Sequence, residues 1–383
     1  MLAAASGVGL GVAGLFTYNA GLFVHDLGLA IGLSRTTFGS AFFGSTLAMA
    51  IALPFVGRSV DRYGPRKTAA FGSLSLATGF LALGTLVGSP AAYVLVMILI
   101  GMLAAACSPV PYTRAVSGAF DRQRGLALGL TQVGIGVAAA IVPPLISVII
   151  AEHSWRAGYL ALAAIAAAGL LPAVMIPARD LAPNMTDGST GFRSVRRTRL
   201  FRLQLIAFVM MAFAFAGMLA HFVPMLREAG LSAQRAGAFA GLIGISVIVT
   251  RVVVGWLADR VRPAFLGAAS CALCASGCLS LAVGGASLAP IGAMALGTAM
   301  GAEADLVGIM TARHFGIAVY SRAYAMQYAA FMLAAGVSPL WVGFVADSTG
   351  GYRCALSICA LLLLIPIGLF LLVAKLDQLP RSR

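Results

Sequence analysis

Apolar runs of roughly twenty residues recur along this chain at nearly regular intervals, separated by short stretches rich in Gly, Pro and Arg. About twenty apolar residues in an α-helix span the ~30 Å of hydrocarbon in a bilayer. Only helices and closed barrels satisfy every backbone polar group inside lipid. The runs are continuous instead of alternating every second residue, which excludes the barrel. With 60% hydrophobic residues among 383, there is enough apolar sequence for roughly twelve such spans. Charged residues make up 10%, against about a quarter in soluble domains. A soluble enzyme, a disulfide-stapled secreted domain and a disordered chain are thereby excluded. The fold class expected is an all-α polytopic membrane protein.

Read against their punctuation, the runs predict twelve spans near residues 4–24, 37–57, 68–87, 91–117, 125–150, 158–176, 203–225, 236–257, 264–283, 288–310, 323–345 and 355–373. The longest polar stretch, 177–202, divides them six and six. The organisation expected is a six-helix bundle over 1–176, a cytoplasmic linker over 177–202, and a second six-helix bundle over 203–383 with a short cytoplasmic tail. With both termini cytoplasmic, about twenty of the 26 Lys and Arg residues lie on the inner side and about five on the outer, the positive-inside pattern. The net charge of +14 therefore reads as a topology signal, and no nucleic-acid partner is expected. No cleavable signal peptide is expected, because no basic stretch precedes the first apolar run and that run is too long for one. Of the six cysteines, Cys271, Cys274 and Cys278 fall closest together, inside an apolar stretch without His or acidic neighbours. They read as small packing residues, with no metal site.

The two halves carry matching anchors. GRSVDRYGPRK runs from Gly57 to Lys67, and GWLADRVRPAF from Gly255 to Phe265. Gly57 maps onto Gly255, Asp61 onto Asp259 and Arg62 onto Arg260, all shifted by 198 positions, and the same shift takes Arg124 onto Arg322. The chain reads as two parallel six-helix repeats.

The motif G-x-x-x-D-R-x-G-x-R-K between the second and third spans, with its weaker copy between the eighth and ninth, resembles the signature loop of the major facilitator superfamily. The resemblance covers the whole chain and implies two pseudo-symmetric six-helix bundles. In that family the loop Asp and its basic neighbours bond the end of a helix in the opposite half and latch the outward-open state. The resemblance thus implies a gating role for Gly57, Asp61, Arg62, Arg66 and Lys67, and for Gly255, Asp259 and Arg260 in the second copy, where Arg262 stands at the place of Gly64. The alternative is a positively charged loop that only sets topology. RQRGLALGLTQVGIGVAAAIVPPL (122–145), the WRAGY of Trp155 to Tyr159, GLSRTTFGSAF (32–42) and GAEADLVGIMTARHFG (301–316) are similar to the monocarboxylate-porter-like branch, which includes oxalate–formate exchangers.

An ionisable side chain inside a span costs a few kcal/mol and needs a partner, a wet cavity or a function. Arg251, Glu303 and Asp305 stand out, with His221 towards the outer end of span seven. Porters of the branch carry an Arg four residues before the loop glycine, where it binds the substrate carboxylate. Arg251 matches that spacing, and a guanidinium suits the task because its planar fork offers two parallel donors. A structural ion pair with an acid on a neighbouring helix is the competing reading. The chain departs from the branch in having Val247 where an acidic proton carrier stands, and Tyr18 or Asn19 where the first span often carries lysine. Glu303 and Asp305, two positions apart, point about 200° from each other on a helix. One of them, Glu303 slightly ahead, is expected to replace the missing acid as proton acceptor or counter-ion; a buried structural pair is the alternative. His221 is a further candidate for proton coupling, against a hydrogen-bonded structural histidine. Tyr18, Asn19, Gln132, Gln327 and Tyr328 either contact substrate or bond helix to helix, and Arg114 either closes an inner gate or marks topology.

The glycine pairs Gly7 and Gly11, Gly125 and Gly129, and Gly297 and Gly301 are spaced for close helix contact. Pro143, Pro144 and Pro339 suit helices that bend. The function expected is secondary active transport by alternating access, moving a small monocarboxylate-like organic anion by proton symport or by exchange with a counter-substrate. Efflux of amphipathic drugs or metabolites by proton antiport is the alternative. No G-x-x-x-x-G-K-[ST] occurs, so ATP coupling is disfavoured, and neither a cofactor nor enzymatic activity is expected. The chain is read as a multi-pass monomer in the lipid bilayer of a bacterial inner membrane.

Overall fold

The computed structural model describes residues 1–120, 123–176 and 191–377. Most of the linker and the tail, with Arg122, Arg179, Arg381 and Arg383, lie outside the described residues. Among the described residues, eleven apolar helical stretches are long enough to cross a membrane, and the longest, Pro263–Phe315, is divided by a 3-10 turn at Gly285–Leu288, giving twelve segments: α1 Leu2–Ile31, α2 Arg35–Tyr63, α3 Pro65–Thr85, α4 Pro90–Ala119, α5 Arg124–Glu152, α6 Trp155–Met175, α7 Arg199–Glu228, α8 Ala233–Ala258, α9 Pro263–Gly284, α10 Ala289–Phe315, α11 Tyr320–Thr349 and α12 Tyr352–Leu376. No strand occurs among the described residues.

Local chemistry starts and stops these helices. The side-chain oxygens of Ser34, Ser89, Ser154, Thr198 and Ser232 accept hydrogen bonds from Thr37, Ala92, Ala157, Phe201 and Arg235 backbone N–H groups, capping α2, α4, α6, α7 and α8. Pro65, Pro90 and Pro263 occupy first positions, where the missing N–H costs nothing. Gly316 ends α10 at φ +77°, a backbone conformation that favours glycine.

Two spans are broken where the sequence predicts continuous helix. In α1, Gly11 is extended between Leu2–Gly9 and Val12–Asn19. In α4, the chain leaves Pro90–Ala104 through a short 3-10 turn, becomes extended at Ser108 and restarts at Pro109. The breaks meet: a Cβ at Gly11 would collide with the Cys107 carbonyl, and one at Gly7 with the Tyr112 ring. By contrast, α5 and α11 run unbroken through Pro143, Pro144 and Pro339.

The described chain forms two compact units. The first gathers Met1–Asp121, Leu130–Phe192 and Ile317–Ala329; the second gathers Arg122–Gly129, Arg193–Gly316 and Ala330–Arg383. In the first, Phe23 stacks on Tyr159 with centroids 3.7 Å apart, inside a core that includes Phe80, Tyr93 and Met97. In the second, α9 packs on α10 where a Cβ at Gly277 would collide with Ala295, and on α12 where Phe370 covers Gly267. Large apolar side chains such as Phe344 and Ile141 remain on the outside, as lipid permits and water does not.

Candidate functional site

The seam between α8 and α10 is made by small residues. A Cβ at Gly297 would come within 2.5 Å of the Ile243 carbonyl oxygen, and one at Gly301 within 2.7 Å of that of Val247. Ser246 adds a bond from its hydroxyl to the Met294 carbonyl at 2.8 Å. Asp305 stands one turn beyond Gly301 on this line and Arg251 one turn beyond Val247, and the two side chains meet. Arg251 Nη1 donates to Asp305 Oδ1 at 2.9 Å, with both side chains out of solvent. The contact is single: Arg251 Nε and Asp305 Oδ2 are buried with no hydrogen-bond partner among the described residues.

Glu303, expected slightly ahead of Asp305 as counter-ion, does not make this bond. Two residues from Asp305, it is turned off the α8 line and lies within electrostatic reach of Cys271 on α9, while still feeling Arg251. Its Oε2 has no hydrogen-bond partner among the described residues. One cation therefore faces two buried carboxylates. Val247 on α8 is apolar, and the carboxylate that meets Arg251 comes from α10.

The loop aspartates are both engaged, each in its own unit. In the first, Arg322 Nε at the head of α11 donates to Asp61 Oδ2 at 2.7 Å, while a Cβ at Gly57 would lie 2.6 Å from the Ser321 carbonyl oxygen. Arg114 is buried within electrostatic reach of Asp61. In the second, Asp259 accepts from the N–H groups of Gly125 at 2.7 Å and Leu126 at 3.0 Å, capping the head of α5. Gly255 and Gly125 approach so closely that a Cβ on either would strike the other's carbonyl oxygen, at 2.8 and 2.6 Å. Arg322 and Arg124 are the positions related by the sequence shift, so equivalent contacts recur with different donors. Around them, Arg62 lies over Tyr63 and Arg260 over Trp256, and Arg66 and Lys67 are exposed at the start of α3.

The remaining candidates are dispersed. His221 sits 3.1 Å from both the Tyr352 hydroxyl and the Pro339 carbonyl oxygen. With both ring nitrogens engaged, it ties α7 to α11 and α12 and stands outside the Arg251 cluster. Asn19 is buried and donates to Leu15 O, and Tyr18 is partly exposed. Gln132 is buried, and neither amide atom has a hydrogen-bond partner among the described residues. Gln327 is buried, and Tyr328 stacks on Tyr324, which stacks on Tyr320. This tyrosine ladder went unread in the sequence although its four-residue spacing was visible. Also unread was the buried His314, whose Nδ1 lies 2.9 Å from Gln204 Oε1. An apolar cavity of about 490 Å³ opens between α1 and α5, lined by residues including Leu2, Gly9, Leu130 and Ile141. Among the described residues, no group of three or more His, Cys, Asp or Glu is placed to hold a metal ion.

Residues 7–316 match the Major Facilitator Superfamily family model. The gallate transporter of Pseudomonas putida is 26% identical over 311 residues, covering 69% of this chain and 64% of the relative. Monocarboxylate transporter 12 of Mus musculus is 24% identical over 328 residues, covering 75% and 67%. The chain spans from 27% to 67% of the length of the first curated relatives it matches. Among solved structures, the transporter FucP in its outward conformation superposes with a TM-score of 0.79 at 16% identity, over 97% of this chain and 98% of that one. The family match over residues 7–316, with the shared fold, makes the chain a member of the Major Facilitator Superfamily.

Proposed function

We propose that the chain is a secondary active transporter that moves a small organic anion carrying a carboxylate, by alternating access and by proton symport or exchange. The observation that carries this reading is the buried Arg251–Asp305 pair, in which the guanidinium fork is only half used. A substrate carboxylate is the natural second acceptor for that fork. Protonating Asp305, or displacing it from the guanidinium with a substrate carboxylate, frees Arg251 for substrate. Glu303 adds a second buried carboxylate next to the same cation and is the reserve proton acceptor. Asp61 with Arg322, and Asp259 with the head of α5, act as the latches, supported by Gly57, Gly255, Arg62, Arg66, Lys67, Arg114 and Arg260. Tyr18, Asn19, Gln132, Gln327 and Tyr328 are selectivity candidates; His221 is read as a structural tie.

In this reading residues 1–176 and 203–383 are the moving bodies and 177–202 joins them. Both termini face the cytoplasm of a bacterial cell, and a monomer suffices for the cycle. The gallate and monocarboxylate transporter relatives support an organic acid as substrate class.

Uptake of a radiolabelled organic-acid panel into proteoliposomes, with and without an inward proton gradient, tests the reading. Gradient-stimulated uptake of one acid, lost in Arg251→Ala, is the result expected for symport. Uptake that ignores the gradient but needs internal counter-substrate identifies exchange. Failure to move any acid in either mode overturns the reading and favours amphipathic efflux.

A further inference from the structure

We propose that Cys278 on α9 and Cys359 on α12 are an oxidation site that closes into a reversible disulfide and staples the two helices. Their Sγ atoms lie 3.5 Å apart, and both residues are wholly buried. The Cys359 thiol also lies 3.0 Å from the Ala214 carbonyl oxygen, to which its S–H donates. That orientation leaves the Cys359 sulfur lone pairs towards the Cys278 thiol. A disulfide has an S–S distance of about 2.05 Å, so the sulfurs must approach by about 1.5 Å. Rotation about the two Cα–Cβ bonds is the movement required, on helices that also pack together where Phe370 covers Gly267.

Packing alone accounts for small residues here, and alanine would fill the same space. It does not account for thiols on two different helices meeting at contact distance. Apart from Cys107, every cysteine of the chain lies on α9 or α12. Cys274 and Cys271 line α9 on the Cys278 side and are also fully buried. They belong to the same helix as Cys278, so a bond between them would span one turn and tie nothing together.

The oxidant is a small uncharged hydroperoxide, able to reach a protein interior through lipid. Hydrogen peroxide converts one thiol to a sulfenic acid and releases water. The second sulfur then attacks the sulfenic sulfur, forming the S–S bond and releasing a second water. Two S–H bonds and the O–O bond are consumed, and a thiol reductant reverses the product. Both cysteines belong to one compact unit, so the staple stiffens that unit and raises its unfolding temperature.

The test uses the full-length protein in lipid nanodiscs, treated with hydrogen peroxide, alkylated, digested and mapped by mass spectrometry. A linked peptide pair containing Cys278 and Cys359 is expected, lighter than the two free peptides by two hydrogens and reversed by dithiothreitol. Cys278→Ser and Cys359→Ser abolish the link, whereas Cys274→Ser retains it. A second protein with Cys107, Cys271, Cys274 and Cys354 all replaced by Ser still forms it. The proposal is overturned if wild-type protein yields no such pair at peroxide doses that oxidise the exposed Cys354, or if the link runs through Cys274 instead.

Discussion

Because Asp305 is held by one contact from Arg251 at a site shielded from water, Arg251→Ala strands a buried carboxylate. Breaking a buried pair from one side costs about 3–5 kcal/mol, so the variant should unfold at a clearly lower temperature as well as lose uptake. Arg251→Lys keeps the charge but not the fork, and should recover much of the stability with little of the transport. Asp305→Asn and Glu303→Gln, assayed for uptake across pH, separate the two acids. A flattened pH response is expected in Asp305→Asn, and a normal response in both variants sinks the coupling role. His221→Gln is expected to lower stability modestly and leave the pH dependence of uptake unchanged, since the ring serves as a helix tie.

Among the elements, the α8–α10 seam depends on residues without side chains. Gly301→Leu forces a side chain into the Val247 carbonyl and the Thr250 side chain. Overpacking of this kind typically costs about 1–3 kcal/mol, and by spreading the helices it should also lengthen the Arg251–Asp305 contact. A thermal shift and loss of uptake together in Gly301→Leu, with a milder effect in Gly301→Ala, is the expected pattern. The seam also explains what the sequence concealed. The twelve spans were legible because a run of about twenty apolar residues has few other uses, and the loop anchors made the repeat legible. The partner of Arg251 was harder, since periodicity gives the angle between Glu303 and Asp305 but not which of them meets α8. The clue was present: Gly297, Gly301 and Asp305 are spaced by four and share a face. The breaks in α1 and α4 were hidden because the same residue types occur in unbroken helices. Pro109 begins a new helical segment, while Pro143 and Pro144 sit inside a continuous one, and which outcome prevails depends on neighbouring helices that re-satisfy the freed backbone groups.

For the whole molecule, the charge asymmetry predicts that reporter fusions at either end are active only in their cytoplasmic form. An accessible terminus on the outer face would overturn the topology. Light scattering of the purified protein should return the mass of one chain, 39.2 kDa, after subtraction of detergent. The contacts of the two loop aspartates should respond differently to replacement. Asp61→Asn weakens a charge-to-charge contact, whereas Asp259→Asn keeps one acceptor oxygen for the α5 cap and Asp259→Ala removes both. Loss of such a cap is worth about 1 kcal/mol, and thermal unfolding of the three variants should rank Asp259→Ala below Asp259→Asn. The contrast between the two contacts also reaches into how the gene tolerates change. The Asp61 contact has two mutable ends, since a single codon change can remove either the acid or Arg322. The Asp259 contact has one, because its donors are main-chain N–H groups that every residue except proline supplies. Random mutagenesis of the open reading frame should therefore break the first contact by loss of charge at two positions and the second by loss of charge at its acid alone, with positions 125 and 255 sensitive to side-chain bulk and positions 125 and 126 to proline.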